Sequence, residues 1–173
     1  MEYNDVYDAR RNRTGKIHRR GTPWKKGEYG FVVCVWVYDG EGKVLMTRRA
    51  PQKSFAGTWE NSGGSVQAGE DSLQAIVREL REETGICAAP EEFEFLESGL
   101  DHNTHYDYYC LKKKIALEEV TLQPGETDDV RWVTYGEIHH MIETGMICHV
   151  IATQFLRQEP MLLARTGQPA QNG

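Results

Sequence analysis

Seven consecutive apolar residues, Phe31–Val37, set the first limit on this chain. The run is too short to cross a bilayer as a helix, which takes about 20 apolar residues. Its valines and aromatics read instead as a strand buried in a sheet. The turn formers Asp39–Gly42 follow it, and Lys43–Arg49 returns as the partner strand of a hairpin. A strand this apolar needs cover, so the rest of the chain must supply layers to pack against it.

The clearest cover is a helix after Asp71. Leu73, Ile76, Val77 and Leu80 recur at helical spacing and form one apolar stripe. Asp71 with Gln74 predicts a capping box, and Gly85 a left-handed stop. Downstream, Phe93–Leu100 and His105–Ile115 predict an antiparallel pair, residues 122–129 a polar loop, and Val130–Val133 a short strand. Segments 136–145 and 148–158 predict two helices split at Gly145. Residues 50–64 read as a loop with a short strand near Trp59. The pattern is α+β: a mixed sheet with helices on its faces. The expected organisation is an N-terminal arm over 1–29, a domain over 30–160 and a flexible tail over 161–173. A net charge of −6 argues against nucleic acid or an anionic membrane as the main partner. The N-terminus has no apolar core of a secretion signal, and the four cysteines form no C-x-x-C pair. Free thiols in the cytoplasm are the expectation.

The helix carries a chemical oddity. Glu79, Glu82 and Glu83 fall within five residues and project from one side, away from the apolar stripe. Like charges at these spacings repel. At ~6 Å and an effective dielectric near ~20, each pair costs about 2–3 kcal/mol before screening. Solvent alone would relieve this if the face were exposed, as an isolated E-x-x-E-E usually is. A hard divalent cation would relieve it more completely, because such ions take carboxylate oxygens and substrate phosphates together.

The residues upstream decide between the two. From Gly64, Glu70 follows six positions on, then Arg78, Glu79, Leu80, Glu82, Glu83, Gly85 and Ile86. This resembles the Nudix box, G-x5-E-x7-R-E-U-x-E-E-x-G-U with U apolar, and all nine defined positions match. The resemblance is specific over residues 63–86 and extends over about 29–156 through element order. It implies an α/β/α sandwich and a magnesium- or manganese-dependent hydrolase that splits a nucleoside diphosphate linked to another moiety X. By motif match, Glu79, Glu82 and Glu83 are metal ligands, the Gly63 carbonyl adds another, and Glu70 contributes directly or through water. Arg78 orients a box glutamate, and Gly64 supplies an unusual backbone conformation near the metal. The general base is a box glutamate or Glu126, with Asp128 and Asp129 as rivals. Trp59 and Arg48 are candidate substrate contacts; Tyr106, Tyr108 and Tyr109 could stack a base or simply build the sheet. His102, His105 and Asp107 could suggest a second metal site, and they read better as polar strand ends or substrate-edge contacts.

Two rivals share the fold. Isopentenyl-diphosphate isomerases resemble the N-terminal half, but they place a catalytic cysteine and a metal-binding histidine where this chain has Gly63 and Ser65. A non-catalytic nucleotide sensor would suit a chain missing a box glutamate, and none is missing. The signatures of coenzyme A and NADH pyrophosphatases are incomplete here. Nucleoside triphosphates, nucleotide sugars, ADP-ribose and isoprenoid-like diphosphates therefore stay open as substrates, and a homodimer is left open.

Overall fold

A computed structural model describes residues 2–166. The strands are β1 (Tyr3–Tyr7), β2 (Arg13–Arg19), β3 (Gly30–Tyr38), β4 (Lys43–Arg49), β5 (Trp59–Glu60), β6 (Ser62–Ser65), β7 (Phe93–Asp101), β8 (Thr104–Lys112) and β9 (Thr127–Thr134). The helices are α1 (Ser72–Thr84), α2 (Tyr135–Glu143) and α3 (His149–Thr166). β5-β4-β3-β8-β7 form the spine of the main sheet; β6 also pairs with β3 and β9 with β4. β3 runs parallel to β8 along its length, while its pairings with β4 and β6 are antiparallel. The sheet is mixed, as expected.

The apolar run sits at the centre of this sheet and feeds two cores. Val33, Val35 and Val37 point to one face, where Ala75, Ile76 and Leu80 of α1 cover them. Trp36 and Tyr38 point to the other, where Ile138 and Met141 of α2 and Phe155 and Leu162 of α3 close over them. Burial on both faces explains why no polar residue interrupts the run. The Asp39 side chain fixes the hairpin that follows, accepting from Glu41 N at 2.7 Å and Lys43 N at 3.0 Å.

Three segments differ from the sequence reading. Arg13–Arg19, inside the expected N-terminal arm, is a strand that completes a hairpin with β1. Ser62–Ser65 extends the short strand near Trp59 into a second one. Met161–Thr166, placed in the flexible tail, continues α3 past Pro160. A proline inside a helix costs about 3 kcal/mol, and here burial of Leu162 at 1% exposure offsets it. The rest of the expected tail, 167–173, lies outside the described residues.

Candidate active site

Helix α1 starts and ends as its sequence dictates. The Asp71 side chain accepts from Gln74 N at 2.8 Å, and the Gln74 side chain accepts from Asp71 N at 2.9 Å. Gly85 closes the helix at φ 72°. The helix buries Ala75, Ile76 and Leu80 against the sheet, and its last turn lays Glu79 and Glu83 beside β6.

The glycines of β6 make that approach possible. Gly64 was expected to adopt an unusual backbone angle, but its φ is not left-handed. Its role is space: a Cβ there would lie 2.3 Å from Glu79 Cδ. At Gly63 a Cβ would meet the Val33 carbonyl oxygen at 2.3 Å, and Gly63 N donates to Glu83 Oε2 at 3.2 Å.

Above this strand lies a cleft of about 320 Å³. Six carboxylates reach it: Glu79, Glu82 and Glu83 from α1, Glu60 from β5, Glu126 from the loop before β9, and Glu2 from the N-terminus. Four cations share it: Arg78, Arg49, Lys53 and Arg20. Arg78 organises the helix side. It donates to Glu70 at 2.7 and 2.9 Å, to Glu79 at 2.8 Å, to Glu82 at 3.1 Å and to the Ser65 carbonyl at 3.0 Å. With its donors committed, Arg78 orients carboxylates and has none left over for substrate. Glu70 belongs to this clamp: its two oxygens take Arg78, one of them also takes Gln67 N at 3.0 Å, and it does not line the cleft. Glu70, expected to contribute to the metal directly or through water, here positions Arg78. Burial raises the Glu70 carboxyl, but these hydrogen bonds outweigh it and hold the group below its ordinary value.

The opposite holds deeper in. Burial pushes the Glu83 carboxyl up to about 8, with Glu60 and Glu79 adding repulsion. Burial also raises Glu79 and Glu60, despite their arginine partners Arg78 and Arg49. Buried acids that repel one another are the donor set a hard divalent cation requires. Among the described residues no three such groups yet stand converged as a finished cage. Arg78 accounts for this, since it holds Glu79 and Glu82 on its own guanidinium. The residues fit such a cation; Glu79, Glu82 and Glu83 would hold it.

Other expected site residues divide cleanly. Glu126 lines the cleft and pairs with Lys53, whereas Asp128 and Asp129 turn away to Arg48 at 2.7 and 3.7 Å. Arg48 and Trp59 are not in the cleft. Trp59 is 2% exposed and packs under the Arg131 guanidinium at 3.9 Å, with Arg48 at 5.8 Å. Their neighbours Arg49 and Glu60 face the cleft instead and pair at 2.6 Å. His105 donates through its Nε2 to the Asp8 carbonyl at 2.8 Å, Asp107 takes Arg11 and Ser72, and His102 is exposed.

A second cavity of about 390 Å³ opens on the far side of Gly63–Gly64, which both cavities share with Val32. Cys34, Tyr106, Tyr108, Val150 and Ile151 give it apolar walls. Tyr106 and Tyr108 meet edge to face at 5.8 Å, while Tyr109 points to the opposite core. The Cys34 thiol, pushed up to about 12 by burial, lies against the Tyr108 hydroxyl.

Comparisons with known proteins agree with this arrangement. The sequence model of the NUDIX domain matches residues 28–150. An uncharacterised Nudix hydrolase of Listeria monocytogenes is 33% identical over 152 residues, covering 84% of this chain and 87% of that protein. An isopentenyl-diphosphate Delta-isomerase of Escherichia coli is 28% identical over 118 residues, covering 62% of this chain and 63% of that protein. A crystal structure from Deinococcus radiodurans superposes with a TM-score of 0.77 at 22% identity, covering 91% of this chain and 99% of that one. The fold is shared over almost the whole described chain, and the glutamate helix and its glycine strand both fall inside the matched domain: the chain belongs to the Nudix hydrolases, enzymes that act on pyrophosphate-containing substrates.

Proposed function

We propose that the protein hydrolyses the diphosphate linkage of a nucleoside diphosphate joined to another moiety X, giving two monophosphates, with Mg²⁺ or Mn²⁺ as cofactor. The observation that carries this reading is the burial of mutually repelling carboxylates, Glu79 and Glu83, in a cleft that shares Val32, Gly63 and Gly64 with an apolar cavity. When bound, the divalent cation supplies neutralisation of phosphate oxygens and activation of water. Glu79, Glu82 and Glu83 hold it, with Gly63 and Gly64 lining the same wall. Arg78 keeps Glu79 and Glu82 oriented, and Glu70 keeps Arg78 oriented. Glu126 is the general base, taking the proton of the attacking water from across the cleft. Lys53, its present partner, is then free to meet a phosphate oxygen. The apolar cavity takes the part of the substrate beyond the diphosphate.

The absence of a side chain at Gly63 and the hydroxymethyl group at Ser65 favour hydrolysis over isomerisation, which needs a thiol and an imidazole there. The apolar walls of the second cavity favour one further substrate class, an isoprenoid-like diphosphate. The cytoplasm is the proposed compartment. Among the described residues no helix is long and apolar enough to cross a membrane. The deciding experiment is a panel of nucleotide sugars, ADP-ribose, nucleoside triphosphates and isoprenoid diphosphates, assayed with Mg²⁺ or Mn²⁺. Release of monophosphate from one class is expected. Silence across the whole panel would replace the hydrolase reading with a nucleotide sensor.

A further inference from the structure

The matched domain begins at residue 28, yet two residues before it, Glu2 and Arg20, line the carboxylate cleft. They come from the two ends of the β1–β2 hairpin, where Arg20 N donates to the Glu2 carbonyl at 3.1 Å and the two side chains form an ion pair. The hairpin is firmly docked. Asn4 Nδ2 donates to the Val66 carbonyl at 3.0 Å, Ala68 N to the Tyr3 carbonyl at 2.8 Å, and Gly69 N to Asp5 at 2.9 Å. Tyr7 and Tyr29 exchange backbone hydrogen bonds, and His18 stacks on Trp24 at 3.6 Å. Its seat is therefore the loop that leads into α1, and Arg20 is held at the mouth of the cleft.

The cleft's other guanidiniums are committed. Arg78 is spread over Glu70, Glu79, Glu82 and Ser65, and Arg49 over Glu60 and Ser54. Arg20 differs: its side chain is half exposed, and among the described residues its side-chain hydrogen-bond partner is Glu2. We infer that Arg20 is a substrate-binding residue that grips a phosphate of the diphosphate substrate, with Glu2 as the carboxylate that the phosphate displaces. A planar guanidinium with free donors matches the paired oxygens of a phosphate. Glu126 and Glu79 lie close enough to act on Arg20 electrostatically, so a phosphate held by Arg20 stands near the carboxylates of the cleft. The hairpin is thus a working wall of the active site, and residues outside the matched domain help choose its substrate.

The inference rests on the diphosphate reading above, and its test separates the two. The probe is imidodiphosphate, a non-hydrolysable diphosphate, titrated calorimetrically with Mg²⁺ into the full chain. Arg20→Ala should weaken binding by about 10–100-fold, and Arg20→Lys by less, as expected on losing a charge-assisted contact or only its fork. Glu2→Gln should tighten binding, an opposite sign that misfolding does not produce. On the substrate identified by the panel, Arg20→Ala should raise KM far more than it lowers kcat. Binding by Arg20→Ala within twofold of the unaltered protein would overturn the inference while leaving the diphosphate reading standing. No binding by the unaltered protein would overturn both.

Discussion

Glu79, Glu82 and Glu83 stand on one side of Gly63–Gly64, and Tyr106, Tyr108 and Ile151 on the other. The first chamber is charged, internally repelling and held in shape by ion pairs from Arg78, Arg49 and Lys53. The second is apolar and held in shape by ordinary core packing. The difference separates labour: groups that must change partners during a reaction are collected on one side, groups that only need to fit are on the other. Damage to the first chamber should strike turnover, and damage to the second should strike recognition.

The largest effect should come from the charged chamber. Glu82→Gln keeps the shape and removes one ligand charge, and metal-dependent turnover should fall by about 10³-fold or more, since a cation's share of transition-state stabilisation is several kcal/mol. Unchanged turnover with the circular dichroism spectrum retained would break the assignment. Gly64→Ala comes next. Its Cβ would lie 2.3 Å from Glu79 Cδ, so Glu79 must leave its place. Turnover should drop by about 10²-fold, while the β6–β3 pairing keeps the thermal midpoint close to that of the unaltered protein. On the apolar side, Ile151→Trp should fill the cavity and raise KM about tenfold with little change in kcat, the mark of lost binding common to ground and transition states. A fall in kcat alone would erase the division between chambers.

The last effect is read in stability rather than in activity. The Glu83 carboxyl is raised from 4.5 to about 8, so the folded protein holds a proton that the unfolded chain has already released. Without metal, this contribution is fully present below pH 4.5 and is lost as pH rises through about 8. The thermal midpoint in a chelator should therefore fall between these limits. Glu83→Gln should flatten the slope, and Mg²⁺ should restore stability at the alkaline end. A chelated protein that grows more stable across this window would contradict the burial of Glu83.

Much of the charged chamber was legible because one helix carries it. Caps, stripe and glutamates share a single 3.6-residue register, so fixing any of them fixes the rest. The strands offered less. The sequence points to Arg48 and Trp59, whereas Arg49 and Glu60, one residue away in each case, face the cleft. Alternation has period two, and its phase shows only through pairing and packing: Arg48 lies opposite Trp59, and Thr47 opposite Glu60. The hairpin was the least legible. In β2 His18 is buried and the other six residues are exposed, so no apolar alternation marks the strand. Tyr7 enters the core against Phe31, but the hairpin's contacts to the loop before α1 are backbone and polar ones that sequence periodicity does not carry.

The wall between the chambers is backbone without side chains. Substitutions at Tyr106, Val150 or Ile151 can reshape what is recognised without touching a carboxylate, while a side chain added at Gly64 displaces Glu79 and one added at Gly63 strikes the Val33 backbone. Such a chain can change its diet by drift on one face of a strand and keep its chemistry intact on the other.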